Sequence, residues 1–234
     1  MPSLFHSLHP SHFFALFFPE LCAACEKDLR SGEMVLCTGC IVRLPRTGHE
    51  ASAGNSLEQL FYGKVNLVAA VAFYHFRKGG HVQQLAHLLK YDGRQDVGVF
   101  VGKMIGQALM ESERFTLIDQ VIPVPLHPSR LRKRGYNQAA CISEGIAAVT
   151  GWTHFPQGLQ RLRASDTQTR KQRFERFVNV DGIFRVTDPP QHQGKRILLV
   201  DDVVTTGSTL VACAEALSVV PDVALFSAAM AAAG

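Results

Sequence analysis

The sequence predicts an α/β protein: a mostly parallel sheet covered by helices on both faces, preceded by a small metal-binding module. Three observations carry this. Strand-like segments such as VIPVP (Val121 to Pro125) and ILLV (Ile197 to Val200) are continuous apolar runs rather than alternating ones, as expected for strands buried on both faces. Between them lie longer segments with apolar residues at three- and four-residue spacing, the period of helices that pack on such a sheet. Ahead of both, Cys22, Cys25, Cys37 and Cys40 form two CxxC pairs separated by eleven residues.

The 234 residues are 47% hydrophobic and 19% charged, which describes a packed protein and excludes a disordered one. The net charge of +4 permits an anionic partner without requiring one. At the amino end, SLFHSLHPSHFFALFFPELC is apolar but too short between Pro10 and Pro19 to span a bilayer, and it lacks the basic start of an export signal. A short helix from Ser11 to Phe18 is expected there, with His6, His9 and His12 as polar residues rather than ligands. No transmembrane segment is expected. The expected location is the cytoplasm, with peripheral contact at the inner face of the membrane as the variant.

Two closely spaced thiol pairs can place four thiolates tetrahedrally around zinc. In a reducing compartment the disulfide alternative is weak, and a redox CxxC would be single. Four protein ligands leave no open position, so the metal is expected to be structural. Cys141 and Cys213 fall within apolar helical patterns and read as buried thiols.

Between Pro45 and Lys64 the chain turns polar and glycine-containing, which reads as a linker over 46–65. Strand and helix signals then alternate. Strands are expected at 66–76, 119–125, 183–186, 196–200 and 223–230; helices at 80–91, 98–111, 137–149 and 208–219. The segment Arg161 to Asn179 is polar, charged and aperiodic, the character of a functional loop.

The stretch RILLVDDVVTTGSTL, Arg196 to Leu210, carries the chemistry. In open parallel sheets ligands gather beyond the carboxyl ends of the strands, so this strand delivers Asp201 and Asp202 to the site edge. Thr205, Thr206, Gly207, Ser208 and Thr209 then turn into a helix, whose first N–H groups and neighbouring hydroxyls form an anion site without a lysine. Two carboxylates beside a bound phosphate would repel it unless a polyol lies between. A ribose answers that requirement, its 2′ and 3′ hydroxyls donating to the acids while its 5′-phosphate sits in the loop. The plainer reading is a strand end, a turn and an N-cap serine. The unbroken order of strand, double acid and anion loop favours the ligand. A Walker A loop and a dinucleotide fingerprint are both excluded by residue type.

LLVDDVVTTGSTL resembles the phosphoribosyl diphosphate signature of type I phosphoribosyltransferases. With VIPVPLHPSRLRKRGYNQ (Val121 to Gln138), TQTRKQRFERFVNV (Thr167 to Val180), LLKYDGR (Leu88 to Arg94) and the double CxxC, the whole chain resembles the ComF family of late-competence proteins. Lys171, Gln172 and Tyr136 are mild departures from its pattern. The resemblance implies a type I phosphoribosyltransferase fold over 66–234 after a zinc module in 1–45. It implies Asp201 and Asp202 as catalytic residues, and Thr205, Thr206, Gly207, Ser208, Thr209, Arg134 and Lys90 as substrate-binding ones. Leu126, His127, Arg130, Arg132 and Lys133 are expected near the leaving diphosphate, and magnesium is expected with the phosphoribosyl diphosphate.

Two functions of different class are then implied. The first is a competence protein that binds phosphoribosyl diphosphate with magnesium and also single-stranded DNA, supporting DNA uptake alongside a helicase or DNA-processing partner. Its DNA contacts are expected at Arg161, Arg163, Arg170, Lys171, Arg173 and Arg176, with Phe174 and Phe177 to stack bases. The second is a soluble phosphoribosyltransferase that moves the phosphoribosyl group to a nucleobase or amine and releases diphosphate, with the loop from Arg161 to Asn179 as its lid.

Overall fold

The computed structural model describes residues 20–162 and 183–233. The helix expected over Ser11 to Phe18 lies outside the described residues, as do Arg163, Arg170, Lys171, Arg173 and Arg176. The chain divides into two compact units, one ending at Leu44 and the other starting at Pro45.

The first unit is built from two tight turns. Cys22 N–H donates to the Lys27 carbonyl at 2.8 Å and Glu26 N–H returns to the Cys22 carbonyl at 2.9 Å, closing a turn in which Glu26 adopts φ 60°. Cys37 then precedes helix α1, Thr38–Arg43, and accepts the Ile41 N–H at 3.0 Å. The Glu33 carboxylate ties the two turns, accepting from Arg30 N–H at 2.8 Å and Thr38 N–H at 2.7 Å.

The second unit is organised by a five-stranded sheet, entirely parallel, in the order β1-β7-β6-β2-β3. Its strands are β1 (Ala69–Phe76), β2 (Gln120–Pro123), β3 (Thr153–His154), β6 (Arg196–Val204) and β7 (Ala224–Ala233). A hairpin of β4 (Leu159–Arg161) and β5 (Phe184–Val186) forms a separate antiparallel sheet. The helices are α2 (Ser56–Gln59), α3 (His81–Tyr91), α4 (Gln95–Met110), α5 (Pro128–Arg134), α6 (Gln138–Thr150) and α7 (Ser208–Leu217).

Strand alternation sends Ile197 and Leu199 of β6, Ile122 of β2 and Ala70 and Ala72 of β1 to one face. There they meet Leu57, Phe61, the hairpin's Leu159 and Phe184, and Leu210, Cys213 and Leu217 of α7. The opposite face carries α3, α4 and α6, which touch β1, β7 and the β2–β6 pair respectively. The expected sheet with helices on both faces is therefore present, and it is the architecture that the phosphoribosyltransferase resemblance implied. Helices α4 and α6 nearly touch backbone to backbone: a Cβ placed on Gly102 would lie 2.1 Å from the Ile142 carbonyl oxygen.

The stretch 46–65, expected as a linker, packs into this unit and seals the outer edge of β1. Thr47 N–H donates to the Phe73 carbonyl and His75 N–H to the Pro45 carbonyl, at 3.1 and 2.9 Å. Further along, Asn55 Nδ2 donates to the Ala70 carbonyl (2.9 Å), Glu58 Oε1 accepts the Ala70 N–H (3.1 Å) and His49 Nδ1 accepts the Ala72 N–H (3.4 Å). Polar composition resembled a loop because these side chains serve as hydrogen-bond partners for a strand edge that would otherwise be open. Helix α5 was not anticipated in the sequence either. Pro128 starts it, the His127 ring accepts the Ser129 N–H at 3.2 Å, and Gly135 ends it at φ 79°. Among the described residues no helix is long and apolar enough to cross a membrane.

Candidate ligand and metal sites

Strand β6 runs to Val204, so Asp201 and Asp202 lie within its last residues rather than after its end. Alternation turns the two side chains to opposite sides of the sheet. Asp202 Oδ2 lies 2.8 Å from Lys90 Nζ at the end of α3, and its Oδ1 accepts the Val203 N–H at 2.5 Å. Asp201 Oδ1 accepts the Asp202 N–H at 2.8 Å. Burial, and then the neighbouring Asp202 charge, push the Asp201 carboxyl up to about 7, against the pull of the Asp202 N–H and Lys90. On the α7 side Cys213 feels both Asp201 and Arg161; its burial and the Asp201 charge push its thiol well up. The acid pair thus divides its work: one carboxylate is neutralised by lysine, the other sits in a drier setting.

The loop behaves as its residue types require. Thr205, Thr206, Ser208 and Thr209 are exposed, while Gly207 is buried with φ 73°. Thr206 Oγ1 and Ser208 Oγ are hydrogen-bonded at 2.8 Å. The Gly207 carbonyl accepts the Val211 N–H at 2.9 Å, which opens α7 and leaves the N–H groups before it without helical acceptors. Those groups are the oriented donors expected to hold a phosphate.

Beside this edge lies a cavity of about 610 Å³ lined by Lys90, Tyr91, Gly93, Arg130, Lys133, Arg134 and Tyr136. The structure brings Lys90 and Arg134, expected to bind substrate, into one cavity with Arg130 and Lys133, expected near the leaving diphosphate. Arg134 stands 5.5 Å over the Tyr91 ring and donates to Gln138 Oε1 at 2.8 Å. Tyr136 is anchored by its hydroxyl to the Leu89 carbonyl. His127 serves as the cap of α5, its Nδ1 2.6 Å from Ser129 Oγ, and Arg132 is exposed outside the cavity lining. A cavity of about 680 Å³ elsewhere contains the Glu58–Arg114 ion pair. Lys64 is the other charged residue of its lining.

In the first unit, the sulfurs of Cys22, Cys25, Cys37 and Cys40 all lie within 4.8 Å of one another. Cys25 Sγ and Cys37 Sγ are 3.8 Å apart. With Zn–S bonds of about 2.3 Å, a regular tetrahedron has sulfur–sulfur edges of about 3.8 Å. The donor set fits zinc in both chemistry and size. Burial raises the Cys22 thiol pKa, but N–H groups from Cys37, Cys25 and Ala24 outweigh it and hold the group down at about 6. Cys40 is pushed up by burial and by its three thiol neighbours.

No family model matches the chain. Among curated proteins, a DNA utilization protein of Salmonella typhi is 33% identical over 136 residues, 57% of this chain and 59% of that protein. The chain thus spans about three fifths of the length of that relative. Competence protein F of Haemophilus influenzae is 27% identical over 213 residues, covering 83% of this chain and 89% of that protein.

These relatives support the resemblance to the ComF family. Among solved structures, the allosteric regulatory enzyme of purine biosynthesis is similar to this chain at TM-score 0.41 and 21% identity, over 61% of this chain and 30% of that one.

Three features of the site are not legible in the local sequence. Lys90 was placed near substrate but not against Asp202. Tyr91 and Phe61 were missed altogether: Tyr91 is 63% exposed beside the cations, and Phe61 lies under Gly207. A partial signal existed in LLKY, where a lysine and a tyrosine follow the last buried leucine of an amphipathic helix.

Proposed function

We propose that this ComF-like protein binds phosphoribosyl diphosphate with magnesium at the carboxyl edge of β6. The observation that carries the reading is the adjacency of three unlike features: the acid pair, the Gly207 loop at the start of α7, and the cavity with four cationic side chains. A ribose 5-phosphate accounts for the first two and a diphosphate for the third. Asp201 and Asp202 would offer the oxygen donors that suit magnesium, an ion that takes few protein ligands and would help neutralise the diphosphate. Calorimetry with phosphoribosyl diphosphate and magnesium tests this on the wild type and on Asp201→Ala/Asp202→Ala. Affinity should fall at least tenfold in the double variant; equal affinity overturns the reading.

We further propose that the protein binds single-stranded DNA and acts in DNA uptake. Support comes from the names of its relatives, a DNA utilization protein and a competence protein. The basic sequence from Arg161 to Arg176 is the proposed contact. Affinity for an oligonucleotide should drop steeply with salt, and neutralising Arg170, Lys171 and Arg173 should weaken it while sparing sugar-diphosphate binding. A flat salt response would sink this part of the proposal.

A further inference from the structure

Lys90 belongs to two sites at once. Its Nζ holds Asp202 Oδ2 at 2.8 Å, and the same side chain lines the cavity that carries Arg130, Lys133 and Arg134. Both oxygens of Asp202 are engaged, since Oδ1 takes the Val203 N–H. The pair is largely shielded from water, with side-chain exposures of 24% for Lys90 and 15% for Asp202. A sugar hydroxyl or a cation that needs this carboxylate must therefore compete with an ammonium already on it. An anion in the cavity changes the balance, because it offers Lys90 a second negative partner among cations that otherwise repel it.

We infer that Lys90 is a specificity-determining residue that makes the acid pair accept a sugar only when an anionic group fills the neighbouring cavity. The inference rests on the sugar-diphosphate reading of the site and adds how the two halves of the ligand are coupled. A sugar monophosphate meets an Asp202 still held by lysine and is bound weakly. A ligand carrying a diphosphate draws Lys90 toward the cavity and frees the carboxylate for the sugar hydroxyls. By linkage the coupling is reciprocal: each half tightens the other by the same factor. The device would discriminate against the abundant sugar monophosphates that share the phosphate loop's ligand.

The test is a two-ligand calorimetric cycle with ribose 5-phosphate and inorganic diphosphate, without added magnesium, on wild type, Lys90→Met and Lys90→Arg. In the wild type, saturating diphosphate should tighten ribose 5-phosphate at least tenfold. Lys90→Met should bind ribose 5-phosphate alone more tightly than wild type does, with the coupling reduced below twofold. Lys90→Arg keeps the charge and should keep most of the coupling, which separates the proposed role from a general loss of structure. Binding of both ligands without coupling in the wild type, or equal coupling in wild type and Lys90→Met, overturns the inference and leaves the sugar-diphosphate reading standing. Failure of the wild type to bind either ligand overturns the inference, while the sugar-diphosphate reading is decided separately by the calorimetry with phosphoribosyl diphosphate and magnesium.

Discussion

Gly207 rests against Phe61. A Cβ on Gly207 would lie 3.1 Å from Phe61 Cε1, and the residue holds φ 73° as it opens α7. The proposed phosphate loop is thus supported from below by an aromatic ring contributed from the stretch expected to be a linker. Gly207→Ala should cost about 1–2 kcal/mol from the left-handed backbone alone, with a further loss from crowding of the ring. Urea denaturation of Gly207→Ala, Phe61→Leu and the double variant separates the two: in the cycle, Gly207→Ala should cost less on the Phe61→Leu background by the crowding part, leaving the backbone part.

Asn55 does two jobs at the outer edge of β1. Its Oδ1 accepts the N–H groups of Leu57 and Glu58, both at 3.1 Å, while its Nδ2 donates to the Ala70 carbonyl. Asn55→Ala should lose the helix cap, worth roughly 0.5–2 kcal/mol, and expose a strand edge able to pair with another chain. Lower urea midpoints together with increased light scattering near the midpoint are the expected result; a midpoint shift without scattering would limit Asn55 to capping.

The contact between α4 and α6 has no room for a side chain. Gly102→Ala would put a methyl group 2.1 Å from the Ile142 carbonyl oxygen, and Gly145→Ala one 2.1 Å from the Val99 carbonyl oxygen. Backbone atoms cannot swing aside as a side chain would. Either change should destabilise the sheet unit by at least the roughly 1–3 kcal/mol typical of overpacking, read from urea midpoints at constant m-value.

Asp201 gives the protein a pH dependence of defined sign. Its carboxyl is raised from the usual 3.8 to about 7 in the folded chain, first by burial and then by Asp202. The unfolded chain therefore releases this proton at lower pH than the folded one. Stability from this group is complete at low pH and is lost as pH rises through the window from 3.8 to about 7. Asp201→Asn lacks that loss. Its Tm should exceed the wild type's by a few degrees at pH 8 and the gap should narrow toward pH 5, since about 1 kcal/mol moves Tm by roughly 2–4 °C in a domain of this size. A gap independent of pH would argue against a raised carboxyl.

Zinc should be present at one ion per chain through Cys22, Cys25, Cys37 and Cys40. Chelation should unfold the first unit and let its thiolates take up protons, which rebinding of the metal releases, because a site of four thiolates and few apolar residues gains its stability from the metal. Native mass spectrometry checks the stoichiometry. Circular dichroism after chelation should retain the sheet unit's transition.

The sequence by itself determined what depends on neighbours along the chain. Apolar runs identified β1, β2, β6 and β7, three- and four-residue spacing the longer helices, paired CxxC a candidate metal set, and the order of strand, acids and loop the proposed ligand edge. Each is a local pattern, because strand alternation, helical period and turn chemistry act over a few residues. Tertiary structure decided what joins distant positions. It set Lys90 against Asp202, turned the two acids to opposite sides of the sheet, placed Phe61 beneath Gly207 and spent the polar residues of 46–65 on the edge of β1. No local period encodes such pairs. They arise because folding brings unsatisfied hydrogen-bonding groups and unlike charges into shared, poorly hydrated space, where each is stable only with the partner the fold supplies.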